Sequence, residues 1–147
     1  MTVLALLVLA VLIGALLPVQ TGVNAQLRTS LGSPIATALV SFGVGAAGLL
    51  VAVLSLRIPV PLGQAWLQTS WWQWSGGLLG AIYIAAVVVL APRLGAATLI
   101  AAMVGGQMAA SLIVDHFGWM GFPAYPISAL RLLGAGLVIL GVVLIQR

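Results

Sequence analysis

The sequence predicts an all-α integral membrane protein of five transmembrane helices, and three observations carry that reading. Of its 147 residues 63 % are hydrophobic and only 4 % are charged, against about 25 % charged residues in a soluble domain. Apolar segments of about 20 residues recur along the chain, each long enough to cross a hydrocarbon core of roughly 30 Å as a helix. The connections between them are too short to build a soluble catalytic domain, so residues 1–147 read as a single transmembrane domain. The charged side chains are five Arg and one Asp, with a net charge of +4. Because the Arg stand far apart at the ends of apolar stretches, they read as interfacial anchors and not as a nucleic-acid patch. The absence of cysteine excludes disulfides, thiolate metal sites and cysteine nucleophiles.

The first helix is expected at about residues 3–23. It has no basic residue before it and no signal-peptidase pattern, so it reads as a retained span and not a signal peptide. Ser33 as N-cap and Pro34 at the first helical position open the second, at about 34–56, which stops at Arg57. Residues 58–70 hold Pro59, Pro61 and Gly63 and read as a connection, with a short interfacial turn near Trp66. The third helix follows at about 72–91, and Pro92–Arg93–Leu94–Gly95 is expected to end it as a tight turn. A fourth at about 96–114 is closed by Asp115, His116 and Gly118; after a loop rich in Gly, Pro and aromatics, a fifth occupies about 127–145.

Five spans place the termini on opposite sides. The N-terminal side then receives Arg57, Asp115, His116 and Arg131, and the other receives Arg28, Arg93 and Arg147. Two Arg against three is almost no bias, and orientation follows Lys/Arg excess in short loops. Such balance makes the chain a candidate for inserting both ways and assembling as an antiparallel homodimer, the assembled counterpart of the inverted repeats of transporters. All five Trp (Trp66, Trp71, Trp72, Trp74, Trp119) fall near the N-terminal side with Tyr125, as an aromatic belt would; Trp74 lies deepest and is the one most suited to face a ligand.

Small residues mark contact faces between helices in lipid. Thr37, Ser41, Gly45 and Gly48 share a face of the second span, Gly76, Gly80 and Tyr83 one of the third, and Gly134 and Gly141 one of the fifth. Large polar side chains at membrane depth are more informative, since they cost free energy unless they meet a partner or water. Gln107, Ser111 and Asp115 repeat at i, i+4, i+8 on the fourth span, and Gln20, Asn24 and Arg28 repeat that spacing on the first, just after Pro18. In an antiparallel dimer the two stripes come level, creating two equivalent polar vestibules and an Arg28–Asp115 pair between subunits. Their simpler reading is interhelical hydrogen-bond glue, with Asp115 a helix-end charge paired to Arg131 or His116. Asp115 is the only carboxylate side chain, so any carboxylate-linked coupling must use it. Pro18 frees a carbonyl near Gly14, and broken helices of this kind often sit at transporter binding sites. His116 alone is a poor metal or haem ligand; no zinc-binding His pair, phosphate loop or Ser–His–Asp set exists, so neither enzyme chemistry nor a cofactor or metal is expected.

Gly14-x3-Pro18-x-Gln20-x3-Asn24, Leu31–Gly32–Ser33–Pro34 with Ser41–Phe42, Gly76–Gly77-x2-Gly80-x2-Tyr83, Gly106–Gln107-x3-Ser111-x3-Asp115-x2-Gly118 and Arg131-x2-Gly134 together resemble the YdcZ-like branch of the drug/metabolite transporter superfamily. The resemblance covers nearly the whole chain in order. It implies a five-helix protein of the bacterial inner membrane, able to work as a dual-topology antiparallel dimer, and distant kinship with small multidrug resistance exporters. Those use a membrane-embedded Glu on the first helix; here Gln20 and Asn24 stand there instead, so proton-coupled export of lipophilic cations does not carry over. The expected function is transport of a small metabolite or drug-like molecule by alternating access, with Gln20, Asn24, Ser41, Trp74, Tyr83, Gln107 and Ser111 as substrate contacts and Asp115, Arg28 and Arg131 as coupling or ion-pair residues. The alternatives are a non-transporting accessory subunit and a lipid scramblase or flippase.

Overall fold

Helix boundaries in this chain are set by caps and glycines, not by where the hydropathy falls. The computed structural model describes residues 2–145, which contain helices and connections and no strand. Helix α1 spans Val3–Gly14 and α2 spans Leu16–Leu31. The break at Ala15 lies one turn before Pro18, whose missing N–H leaves the Gly14 carbonyl without its usual donor. Together the two helices run 29 residues, or about 43 Å at 1.5 Å per residue, so the polar end outruns a hydrocarbon core of roughly 30 Å. The first helix therefore does not end near residue 23. Residues 24–31 are polar but helix-compatible, and the chain leaves the helix only where Gly32 adopts φ 69°, a conformation open to Gly at no steric cost.

Helix α3, Pro34–Ser55, starts as the sequence predicts: the Ser33 hydroxyl accepts the Ala36 N–H at 3.3 Å and Pro34 sits in the first turn. Residues 58–70 correct the sequence reading more substantially. They hold a helix, α4 (Leu62–Gln68), followed by a 3-10 turn at Trp71–Ser75. Pro61 precedes the first helical residue, where its lost N–H costs nothing, and a seven-residue helix is too short to show as an apolar run. Ser70 and Gln73 close a reciprocal capping box on the turn.

Helix α5, Gly76–Leu94, carries Pro92 inside its last turn, so Pro92 does not end the helix at residue 91. The bond it forfeits is to the Val88 carbonyl four residues back, and the Arg28 guanidinium Nη1 donates to that carbonyl at 2.9 Å. The terminator is Gly95, with φ 74°. Helix α6 spans Ala96–Phe117, three residues beyond expectation, and α7 spans Ala129–Ile145. Arg147, expected as an anchor on the Arg28 side, lies outside the described residues.

Four stretches are long and apolar enough to cross a membrane, Val3–Leu31, Pro34–Ser55, Trp71–Leu94 and Ala96–Phe117; α7 is a shorter apolar helix. The chain forms two compact units, one of Met1–Val19 with Arg93–Arg147 and one of Gln20–Pro92. In the first, α6 packs along α7, with Leu99, Leu112 and Ala135 buried, while every residue of α1 is exposed. In the second, the buried residues come from three helices: Thr21 and Asn24 of α2, Thr37 and Ala38 of α3, Val87 and Val88 of α5.

Candidate functional site

The unit Gln20–Pro92 holds the polar crevice. Gln20 of α2 and Ser41 of α3 line a cavity of about 310 Å³ whose remaining walls are Phe42, Gly45, Ala46, Leu49 and Ile84. The small residues at 41, 45 and 46 leave the space, and Gly80 on α5 lets Phe42 close it: a Cβ on Gly80 would stand 3.0 Å from the Phe42 ring. One turn along α2, Asn24 is buried at 5 % exposure, beside Thr21 at 6 %. A buried amide in an apolar span is expensive to leave unpaired, which makes this the polar heart of the unit. Thr37, fully buried, donates its hydroxyl to the Ser33 carbonyl at 2.9 Å and so makes no demand on the crevice.

Arg28, the third member of the stripe, turns to the Val88 carbonyl. Tyr83 is half-buried on α5, one residue before the crevice wall at Ile84. Trp74 stands apart from Gln20 and Ser41, in a separate aromatic cup with Trp66, Trp71 and Thr69.

In the other unit, Gln107 and Ser111 are exposed on α6. The i, i+4 spacing puts them on one face about 6 Å apart along the axis, near the middle of a helix long enough to span. Asp115, four residues on, forms an ion pair with Arg131. Arg131 also donates to the Tyr125 carbonyl at 2.7 Å, and the Tyr125 N–H donates to the Asp115 carbonyl at 2.7 Å. The Ile127 N–H donates to His116 Nδ1 at 3.1 Å. The end of α6, the loop and the start of α7 are thus clasped around one carboxylate, with His116 spent on the loop backbone. Among the described residues no group of His, Asp or Glu could hold a metal ion.

Gln20 and Ser41 both line this one space, while the sequence shows neither its apolar walls at Leu49 and Ile84 nor the use of the Val88 carbonyl. The latter had a partial signal: a proline at 92 frees the carbonyl at 88 if the helix runs through it, but the sequence reading pairs Arg28 with Asp115 of a second subunit. Apolar helices of membrane-crossing length, with polar crevices opened by small residues, define a multi-pass α-helical membrane protein. The chain belongs to the family described as "Putative inner membrane exporter, YdcZ", which matches residues 5–144. No curated protein and no solved structure matches it.

Proposed function

We propose that the protein exports a small neutral or zwitterionic molecule across the bacterial inner membrane by alternating access, through a cavity at the interface of an antiparallel homodimer of five-span chains. The observation that carries the reading is the Gln20–Ser41 crevice: two polar side chains facing an otherwise apolar cavity of about 310 Å³. A few placed polar groups in an apolar pocket are the ordinary composition of a small-molecule site. Gln107 and Ser111 support it from the second stripe, because exposed polar groups at mid-helix need water or a partner surface in a bilayer. In an antiparallel pair they come level with Gln20 and Asn24 of the opposite protomer. No carboxylate stands near Gln20 or Ser41 in sequence, so a permanent cation would find no fixed counter-charge there. Asp115 can act in coupling only if Arg131 releases it, and an Arg28–Asp115 pair between subunits likewise requires Arg28 to leave Val88 and Asp115 to leave Arg131.

The experiment compares small molecules released into the medium by cells overproducing the wild-type chain and its Gln20→Ala and Gln107→Ala variants, with membrane levels and cross-linked dimer matched. Loss of the released compounds in both variants is expected. Release at wild-type rates from either variant would remove that residue from the transport path, and release at wild-type rates from both would overturn the site.

A further inference from the structure

The segment between α3 and α5 carries an aromatic cup that the export reading does not use. Trp66, Trp71 and Trp74, all three exposed, line with Thr69 an open cavity of about 230 Å³. The rings of Trp66 and Trp74 stand 5.4 Å apart and inclined at 56°, so they form two walls and not a stack. The walls are braced from inside: Trp74 Nε1–H donates to the Thr69 hydroxyl at 2.9 Å, and that hydroxyl donates to the Ala65 carbonyl at 2.7 Å. The Ser70–Gln73 capping box holds the turn that bears Trp71 and Trp74, with the Ser70 N–H donating to Gln73 Oε1 at 2.7 Å. An interfacial anchor directs its indole N–H at lipid headgroups. Trp74 has given its N–H to Thr69 internally.

The geometry points to a binding site for a quaternary ammonium group, seated against the indole faces of Trp66, Trp71 and Trp74. Aromatic faces attract cations through the ring quadrupole, indole most strongly. Asp115, the only carboxylate side chain, is paired with Arg131, so it is not free to accept hydrogen bonds from a primary ammonium. A methylated onium group requires none. The ligand is either a dissolved onium solute or the choline headgroup of a lipid, which present the same trimethylammonium to the cup.

The test titrates the full-length protein in maltoside micelles with choline and with 3,3-dimethylbutan-1-ol, which has the same shape without the charge, and follows tryptophan fluorescence and saturation-transfer NMR of the methyl protons. Saturable binding of choline, with the neutral alcohol about tenfold weaker, is expected from the usual strength of such contacts. Trp66→Ala should weaken choline by a similar factor, and Thr69→Val, which unties Trp74 without removing a ring, by several-fold. Equal response to choline and the alcohol, or no response to either, overturns the site without recourse to any variant. In vesicles of phosphatidylglycerol, binding of dissolved choline assigns the solute. A fluorescence change confined to phosphatidylcholine vesicles and lost in Trp66→Ala assigns the headgroup. No difference between the two vesicles together with no choline binding refutes both.

Discussion

Replacing Arg28 by Met should destabilise the protein, and replacing Pro92 by Ala should remove most of that cost, although the two positions are far apart in sequence. The link is a single backbone oxygen. Pro92 cannot donate to the Val88 carbonyl, and its ring tilts that carbonyl off the helix axis; Arg28 Nη1 fills the vacancy at 2.9 Å, at a residue with 0 % exposure. A hydrogen bond from a charged donor contributes about 1.5–3 kcal/mol, and a stranded buried carbonyl costs about 1–3 kcal/mol. Arg28 is half-buried, which places Arg28→Met near 2 kcal/mol by the same reasoning. In the Pro92→Ala background the new N–H at 92 serves the carbonyl, and the same substitution should cost under about 1 kcal/mol, a coupling of about 1–2 kcal/mol. The assay is a double-mutant cycle on reversible SDS unfolding in mixed micelles, read by tryptophan fluorescence. Additivity of the two substitutions within about 0.5 kcal/mol would refute the shared-carbonyl account.

Asp115→Asn keeps the shape of the side chain but removes one charge of a pair whose side chains are 33 % and 26 % exposed; partial exposure and the Tyr125 carbonyl that Arg131 retains limit the loss to about 1 kcal/mol, measurable by the same unfolding assay and diminished at high salt. Gly80→Leu should be destabilising and should close the Gln20–Ser41 crevice by displacing the Phe42 ring, which a Cβ alone would meet at 3.0 Å; retention of export by a folded Gly80→Leu protein would separate the crevice from transport. Single cysteines placed beside Arg93 and at the C-terminus, on a background without native cysteine, should label from outside intact cells at about half occupancy under dual topology. Labelling from one side only would exclude an antiparallel pair of identical chains.

Much of the helical pattern was legible because apolar spans need length, and length survives in sequence. Ser33–Pro34 fixed the start of α3 through cap chemistry that is purely local. What the sequence hid was decided by partners distant along the chain. Residues 24–31 lose hydropathy and so look like a loop, yet the helix persists to Gly32, where backbone conformation and not polarity ends it. Pro92 reads as a stop until its orphaned carbonyl is found on Arg28. Helix α4 is too short for its apolar pattern to rise above the prolines around it. At the candidate site, the stripe spacing Gln20–Asn24–Arg28 was visible, but its members part company: Gln20 edges a crevice, Asn24 is buried and Arg28 serves a carbonyl on α5. Side chains at equal spacing on one helix share a face, and their neighbours on other helices decide what each does.

The Arg28–Val88 contact also bears on the order of events during synthesis. Its two residues are 60 apart, and at about 5–20 residues per second the ribosome needs roughly 3–12 s to make the second after the first. For that interval the leading helix has an apolar half ready to enter lipid and a polar half whose acceptor does not yet exist. Until the third long apolar segment, Trp71–Leu94, is made, the Arg28 guanidinium has no carbonyl on α5 to meet and is held in water, where a charged side chain costs least.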